Sequence, residues 1–192
     1  MSTMTYLYPA KFQPDEAGRW VVSFPDLPEA LTDGADLVEA LRDAPDCLSE
    51  ALASRIVDGE DIPAPSVLID DHLSIFLISP DPTIALKAAL YMRLRESDWT
   101  LADLARSLDI DWHQAARLID PKRPSKLKTL QDALAALGRT IIVAISDGGD
   151  SKDGPQGSLG RRSLASVFST PGEEDADAGP NHLVPVPVKS ST

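Results

Sequence analysis

The apolar residues of this chain follow two different periods, and the change between them lies near residue 80. Before it, short runs rich in β-branched and aromatic residues alternate with turn signals, as in Trp20 to Phe24 (WVVSF), which Pro25 closes. After Asp81-Pro82, apolar residues recur at the three- and four-residue spacing of helices. A period of two requires a sheet and a period of 3.6 requires helices. The predicted fold class is therefore α+β.

Residues 1–80 are expected to form one sheet covered by one helix, in the order β-β-β-α-β. The helix is predicted to begin after Asp36, with Glu39 completing a capping box, and to end at Gly59. Pro45 lies inside this helical pattern and is expected to kink it. The strand-like runs are Thr5–Phe12, Trp20–Phe24, Ala30–Thr32 and Leu73–Ile78.

Residues 81–146 are expected to form a mainly α second domain. Asp81-Pro82 places an N-cap and a first-turn proline at the start of a helix, and three more helices follow it. Trp99 is expected to be a core residue between the first two of these helices. The apolar run Arg139–Ile145 (RTIIVAI) predicts a final strand, placed to pair across subunits.

The net charge of −12 is divided unevenly along the chain. Residues 1–80 contain 15 acidic and 4 basic side chains, whereas residues 81–146 contain 8 acidic and 10 basic ones. This division predicts two partners of opposite charge, the alternative being a chance segregation of solvated charges. Residues 147–192 are rich in Gly, Ser, Pro and acidic residues, so they are expected to be a disordered tail.

The segment 100–119 (TLADLARSLDIDWHQAARLI) predicts two short helices joined by a turn. Thr100 and Asp103 are expected to cap the first helix, and Asp111 is expected to cap the second. This spacing is typical of a helix-turn-helix, whose second helix places its N-terminal side chains in the DNA major groove. The alternative is an ordinary helical hairpin with the same apolar spacing. The residues expected to point inward are Leu101, Leu104, Ala105, Leu108, Ile110, Ala115, Leu118 and Ile119.

The candidate DNA-binding residues lie on the second helix of this motif and in the basic segment that follows it. Arg117 is suited to guanine or phosphate, and Gln114 is suited to adenine. The lysines and arginine after the helix are suited to backbone phosphates, which favours DNA binding over a plain hairpin. Trp112 is either a base contact or a half-buried anchor. The full set is Trp112, His113, Gln114, Arg117, Lys122, Arg123, Lys126 and Lys128.

Several classes of function are not expected. Cys47 is the single cysteine, which excludes a multi-cysteine metal site. A metal-dependent nuclease needs clustered carboxylates, but the first strand has none, and Asp15 and Glu16 lie in a turn. No catalytic residue, metal site or cofactor is therefore predicted. No N-terminal run is apolar enough for a signal peptide, and no stretch approaches the ~20 apolar residues that span a bilayer, so a soluble cytoplasmic protein is expected, without a membrane partner.

With these residues in view, the sequence resembles the HicB antitoxin family over residues 4–146. It departs from the family at Glu29-Ala30, where Gly-Cys is common, and at Asp109, where Gly is usual in the turn. Asp tolerates the left-handed backbone conformation better than most residues, so the turn is expected to survive. The motifs that carry the resemblance are Tyr8-Pro9, Trp20–Pro28, Thr32–Leu41, Pro63–Ser66, Ala85–Leu94, the helix-turn-helix and Lys126–Val143.

The resemblance implies a type II antitoxin. Residues 1–80 would adopt a degenerate RNase H-like fold and neutralise a HicA-type toxin, a small, basic, mRNA-cleaving protein. Residues 81–146 would bind operator DNA as a homodimer or higher oligomer and autoregulate the operon. The rival function is a transcriptional regulator whose N-terminal domain binds a non-toxin partner. The candidate toxin-binding residues, whose alternative is that they are merely solvated, are Glu29, Asp33, Asp36, Glu39 and Asp43.

Overall fold

The computed structural model describes residues 4–67 and 74–143 of the 192-residue chain. Within these ranges the chain is α+β, as predicted, with one antiparallel sheet of four strands and five α-helices. The predicted tail at 147–192 lies outside the described residues. The elements in chain order are β1 (Tyr8–Pro14), β2 (Trp20–Phe24), β3 (Leu27–Gly34), α1 (Leu37–Asp58), β4 (Ser74–Ile78), α2 (Pro82–Arg95), α3 (Leu101–Ser107), α4 (Trp112–Ile119) and α5 (Leu127–Ala136).

The strands lie in the order β3-β2-β1-β4, and every neighbouring pair is antiparallel. In the centre of the sheet, Phe12 of β1 pairs with Val22 of β2 on one side and with Ser74 of β4 on the other. The predicted order of three strands, a helix and a fourth strand is confirmed, although β3 is longer than the expected Ala30–Thr32. The sequence understated β3 because Pro28 and Glu29 are weak strand formers.

Helix α1 covers one face of the sheet because its apolar residues recur on one side. Asp36 caps it as predicted and accepts a hydrogen bond from the Glu39 N–H at 2.8 Å, and Gly59 ends it with φ of 72°. Pro45 lies inside α1 without ending it, and the Ser49 hydroxyl donates to the Pro45 carbonyl at 2.7 Å. The buried residues of α1 are Ala40, Ala44, Leu48, Ala51, Leu52 and Ile56.

Helix α2 contributes to two hydrophobic cores. Its Ala88 and Tyr91 pack with α1 and the sheet in the first core. Its Leu90, together with the partly buried Leu86, packs in the second core with α3, α4 and α5. Residues of α2 on different sides of one helix therefore bury apolar surface in both halves, and the described residues belong to one compact unit, Met1–Gly148.

Polar contacts also join α2 to the end of α1. The Tyr91 hydroxyl donates to the Glu60 carbonyl at 2.8 Å. The Arg95 guanidinium donates to the Gly59 carbonyl at 2.9 Å and to a carboxylate oxygen of Asp61 at 2.7 Å. Three donors thus satisfy backbone or carboxylate oxygens where α1 ends, which fixes the direction in which α2 lies against it.

Two expectations for the second half are wrong. Trp99 is not a core residue, because its side chain is 37% exposed at the start of α3. Of the strand predicted at Arg139–Ile145, residues 139–143 form none within this chain, and Ile142 and Val143 are 68% and 78% exposed. Residues 144 and 145 lie outside the described residues, and pairing of this segment with a second copy stays a prediction. A strand needs a neighbour for its N–H and C=O groups. This segment has none, because the sheet lies in the other half of the unit.

Candidate nucleic-acid interface and acidic groove

Helices α3 and α4 are joined by a tight turn whose residues were readable from the sequence. Thr100 and Asp103 form the predicted capping box at the start of α3. Asp109 in the turn has φ of 52°, so it adopts the left-handed conformation that the sequence predicted it would tolerate. Asp111 then caps α4 by accepting a hydrogen bond from the Gln114 N–H at 2.8 Å. These local bonds fix where each helix begins and how sharply the chain turns between them.

Helix α4 buries one side and exposes the other. Ala115 and Leu118 are buried, and Leu118 packs in the second core. The predicted DNA-contacting residues Trp112, His113, Gln114 and Arg117 are exposed on the opposite side. The rings of Trp112 and His113 meet edge to face with centroids 5.3 Å apart, and Trp112 remains 53% exposed. Helix α4 therefore presents two donors and an aromatic pair to the solvent.

The basic segment after α4 extends this exposed side, since Lys122, Arg123, Lys126 and Lys128 are all exposed. Arg123 lies 3.8 Å from the Asp120 carboxylate, and Lys128 is bonded to the Asp132 carboxylate on α5. By contrast, three cations form no ion pair with any described residue, and they are Arg117, Lys122 and Lys126. The eight predicted DNA-binding residues together are called the cationic face here, and they are Trp112, His113, Gln114, Arg117, Lys122, Arg123, Lys126 and Lys128. Its unpartnered charges make it suited to an anionic ligand.

Lys87 escaped the sequence interpretation. It lies on α2, its side chain has no exposure, and its ammonium donates to backbone carbonyls at the end of α4 and in the turn beyond. Burial lowers its pKa, and the Asp120 carboxylate acts in the opposite direction. The available signal was a lysine placed among the apolar residues of α2, where a charge is rarely buried unless it is bonded.

Of the five predicted toxin-binding residues, Glu29 and Asp33 lie on β3, and Asp36, Glu39 and Asp43 lie at the start of α1. Glu29 accepts hydrogen bonds from Arg55 at 2.5 and 3.1 Å, and this bonding lowers the pKa of its carboxyl group. Asp33 accepts one from Arg19 at 2.6 Å. Two of the five are therefore held by guanidinium groups from elsewhere in the fold.

The other three candidates bond to neighbours along the chain. Asp36 caps α1, and Glu39 accepts a hydrogen bond from the Ala35 N–H at 2.6 Å. Asp43 accepts one from Arg42 at 2.9 Å. All five side chains retain at least partial exposure, so each has both a structural partner and access to solvent.

An open groove of about 620 Å³ adds acidic residues that the sequence interpretation missed. Asp46 and Glu50 line it from α1, and Asp81 lines it from the start of α2. Lys122 of the cationic face borders the same groove. Asp46 and Glu50 are four residues apart on the exposed side of α1, a spacing that was visible in the sequence. We call this feature the acidic groove.

The described residues 4–67 and 74–143 contain no group of three or more His, Cys, Asp or Glu residues arranged to hold a metal ion. Asp15, considered above for a nuclease, instead accepts hydrogen bonds from the N–H groups of Ala17 and Arg19 in its own turn. No helix in the described ranges is both long and apolar enough to cross a membrane.

Comparison with known proteins gives a consistent result. Residues 7–88 match a family model described as a HicB-like antitoxin of bacterial toxin–antitoxin systems. The chain is 36% identical to antitoxin HicB 2 of Photorhabdus laumondii over 139 residues, which are 72% of this chain and 96% of that protein. It is 34% identical to antitoxin HicB of Escherichia coli K12, covering 72% of this chain and 98% of that one. Antitoxin HicB of Pseudomonas fluorescens is 31% identical, covering 68% and 88%.

Proposed function

The chain belongs to the HicB antitoxin family, and from this premise we propose that it is the antitoxin of a type II toxin–antitoxin system. In this proposal residues 1–80, the sheet half, bind and neutralise a HicA-type toxin. Residues 81–146, the helical half, bind operator DNA to autoregulate the operon. The observation that carries the antitoxin role is its similarity to named antitoxins over nearly their whole length. The role proposed is regulatory and not catalytic.

Toxin binding is supported by the charge of the sheet half. Residues 1–80 carry 15 acidic side chains and 4 basic ones, and a HicA-type toxin is expected to be basic. Complementary fields accelerate encounter and favour the correct partner. The proposed contact surface consists of the exposed carboxylates Glu29, Asp33, Asp36, Glu39 and Asp43, and it extends along α1 to Asp46 and Glu50.

Operator binding is supported by the cationic face. A short helix capped at Asp111 projects Gln114 and Arg117, and both residue types make bidentate contacts with base edges. The cations that follow α4 in the chain are suited to contact phosphates of the DNA backbone, and such contacts would hold α4 in the major groove. We propose that Arg117 and Gln114 contact bases, whereas Lys122, Arg123, Lys126 and Lys128 contact phosphates. Paired half-sites in an operator suit a two-fold protein, so a homodimer or higher oligomer is proposed.

The toxin proposal is tested by co-expression with the neighbouring reading frame, if that frame encodes a small basic protein. Induction of the neighbour alone is expected to arrest growth, and co-expression of this chain is expected to restore it. A pull-down from the same cells should recover the pair. Arrest without rescue would contradict the antitoxin role, whereas a neighbour without toxicity would favour a transcriptional regulator with another partner.

The operator proposal is tested by fluorescence anisotropy with a labelled duplex from the region upstream of the chain's own operon. The control is a duplex of the same length and shuffled sequence. Tighter binding to the upstream duplex, weakened by salt, is expected because neutralised phosphates release counterions. Equal affinity for both duplexes would contradict specific recognition.

A further inference from the structure

Among the described residues, Lys87 is the charged side chain that is completely buried. Its ammonium donates hydrogen bonds to three backbone carbonyls, at 3.2 Å to Arg117, 2.6 Å to Asp120 and 2.7 Å to Arg123. A lysine ammonium has three N–H donors and no acceptor, so this arrangement uses all of them. One side chain therefore joins α2 to the last turn of α4 and to the basic segment beyond it.

The position of these carbonyls explains why a cation lies there. The last carbonyls of an α-helix lack partners within the helix, and they carry the negative end of its dipole. The Arg117 carbonyl belongs to the last turn of α4, Asp120 ends the helix, and Arg123 lies in the turn that follows. Without the Lys87 ammonium, three carbonyls that face the same point would lose a charged donor.

We propose that Lys87 is a positioning residue for DNA recognition, an inference that rests on the operator binding proposed above. By holding the backbone at Arg117 and Arg123, it sets the direction in which these two guanidinium groups leave the surface. Lys122 lies between two of the held positions, so it is carried by the same turn. Lys87 itself does not reach DNA, because it is fully buried.

Helix α2 extends this effect to the other half of the unit. Ala88, the next residue, is buried in the core of the sheet and α1, and Tyr91 bonds to the end of α1. Lys87 therefore holds α4 against a helix that the sheet half has already fixed. Together with the packing of Leu90 and Leu118 in the second core, this side chain links the orientation of the cationic face to the first core.

The test compares two full-length variants that each lose one lysine charge. Lys87→Met keeps an unbranched apolar stem but removes all three donors, whereas Lys11→Met removes a partly exposed charge from β1. Affinity for the upstream duplex is measured by anisotropy over a range of salt concentrations. Lys87→Met is expected to weaken binding about tenfold, because charged hydrogen bonds to three carbonyls are lost, and Lys11→Met is expected to leave it unchanged.

The salt dependence separates positioning from direct contact. Lys87 touches no phosphate, so the slope of log affinity against log salt should be the same for Lys87→Met and the wild type. Lys122→Met should instead reduce that slope by about 0.9, the value for one lost phosphate contact. Far-UV circular dichroism and pull-down of the proposed toxin should be unchanged in Lys87→Met, which separates loss of position from loss of fold.

A second variant covers the case in which Lys87→Met does not fold. Lys87→Gln keeps two N–H donors without charge, and it is expected to bind DNA with an affinity between those of Lys87→Met and the wild type. Wild-type affinity in a folded Lys87→Gln or Lys87→Met chain would overturn the inference, as would a reduced salt slope.

If the wild-type chain fails to prefer the upstream duplex, the proposed operator binding is wrong. In that case faster amide exchange at residues 118–124 in Lys87→Met still supports the anchoring of α4, and unchanged exchange overturns it.

Discussion

The predicted binding residues of the sheet half and of the helical half differ in how fully their charges are bonded within the described chain. In the sheet half, the exposed acidic residues predicted as a binding surface are bonded within the chain, as in Glu29 with Arg55 and Asp33 with Arg19. In the helical half, Arg117, Lys122 and Lys126 form no ion pair with the described residues. A charge without a partner in its own chain keeps its full capacity to bind another molecule.

Counting charges along the chain therefore indicates which half is suited to a partner of opposite charge, but it does not identify the residues that would make the contact. The 15 acidic side chains of residues 1–80 include caps, turn residues and ion pairs, and each of these stabilises the fold. Asp46 and Glu50, which line the acidic groove, have no hydrogen bond or ion pair among the described residues. In this respect they resemble Arg117, Lys122 and Lys126, although their charge is opposite.

The largest effect is expected from damage to the second core, which tests whether the two halves unfold together. Leu90→Ala is expected to destabilise the fold by about 2–5 kcal/mol, because it leaves a cavity at a side chain with no exposure. Leu127→Ala on α5, where the side chain is 62% exposed, is the control and should change stability by less than about 0.5 kcal/mol. Urea unfolding followed by circular dichroism measures both variants. A single transition shared by both halves is expected because α2 contributes to both cores; two transitions would show that the halves unfold independently.

Operator recognition tests the unpartnered cations. Arg117→Ala is expected to weaken binding to the upstream duplex by about 1–3 kcal/mol and to relax base preference at one position. Arg106→Ala is the matched control, because Arg106 is equally a helix arginine but is paired with Asp103 at 2.8 Å. Anisotropy titrations against single-base variants of the duplex measure the effect. An equal loss from both substitutions would indicate a general charge effect and would contradict a specific role for Arg117.

The acidic half is tested by comparing partnered and unpartnered carboxylates. Asp46→Asn with Glu50→Gln is expected to slow association with the proposed toxin by about threefold to tenfold at low salt, because steering by the acidic groove is lost. Glu29→Gln should slow it less, since that carboxylate is already bonded to Arg55. Stopped-flow binding gives the rates. A larger effect from Glu29 would place the contact surface on β3 and the start of α1 instead.

The smallest effect concerns the capping box of α3. The Thr100 hydroxyl and N–H, with Arg106, lower the pKa of Asp103 to about 2 from its ordinary 3.8. The folded state favours the charged carboxylate, so this stabilisation is present above pH 3.8 and is lost as the pH falls towards about 2. The difference in Tm between the wild type and Asp103→Asn should therefore shrink over that range. A difference that stays constant with pH would show that the cap does not depend on this charge.

Features whose hydrogen-bond partners are close along the chain could be predicted from the sequence. The caps at Asp36, Thr100 and Asp111 were predicted and confirmed, because a cap joins residues three positions apart and needs no other element. The exposure of Trp112, His113, Gln114 and Arg117 on α4 followed from helical spacing in the same way. The family was also readable from local motifs, and the relatives confirm it.

Contacts that join distant segments could be seen only in the folded chain. Lys87 meets carbonyls 30 to 36 residues away, and Glu29 meets Arg55 across 26 residues. Trp99 is exposed, and residues 139–143 form no strand within the described chain, although Ile141 packs on the second core. Such contacts depend on which surfaces meet once the chain has folded, and closing long loops onto them carries an entropy cost that only the complete packing offsets. The spacing of residues along a short segment does not predict which distant segment will pack against it.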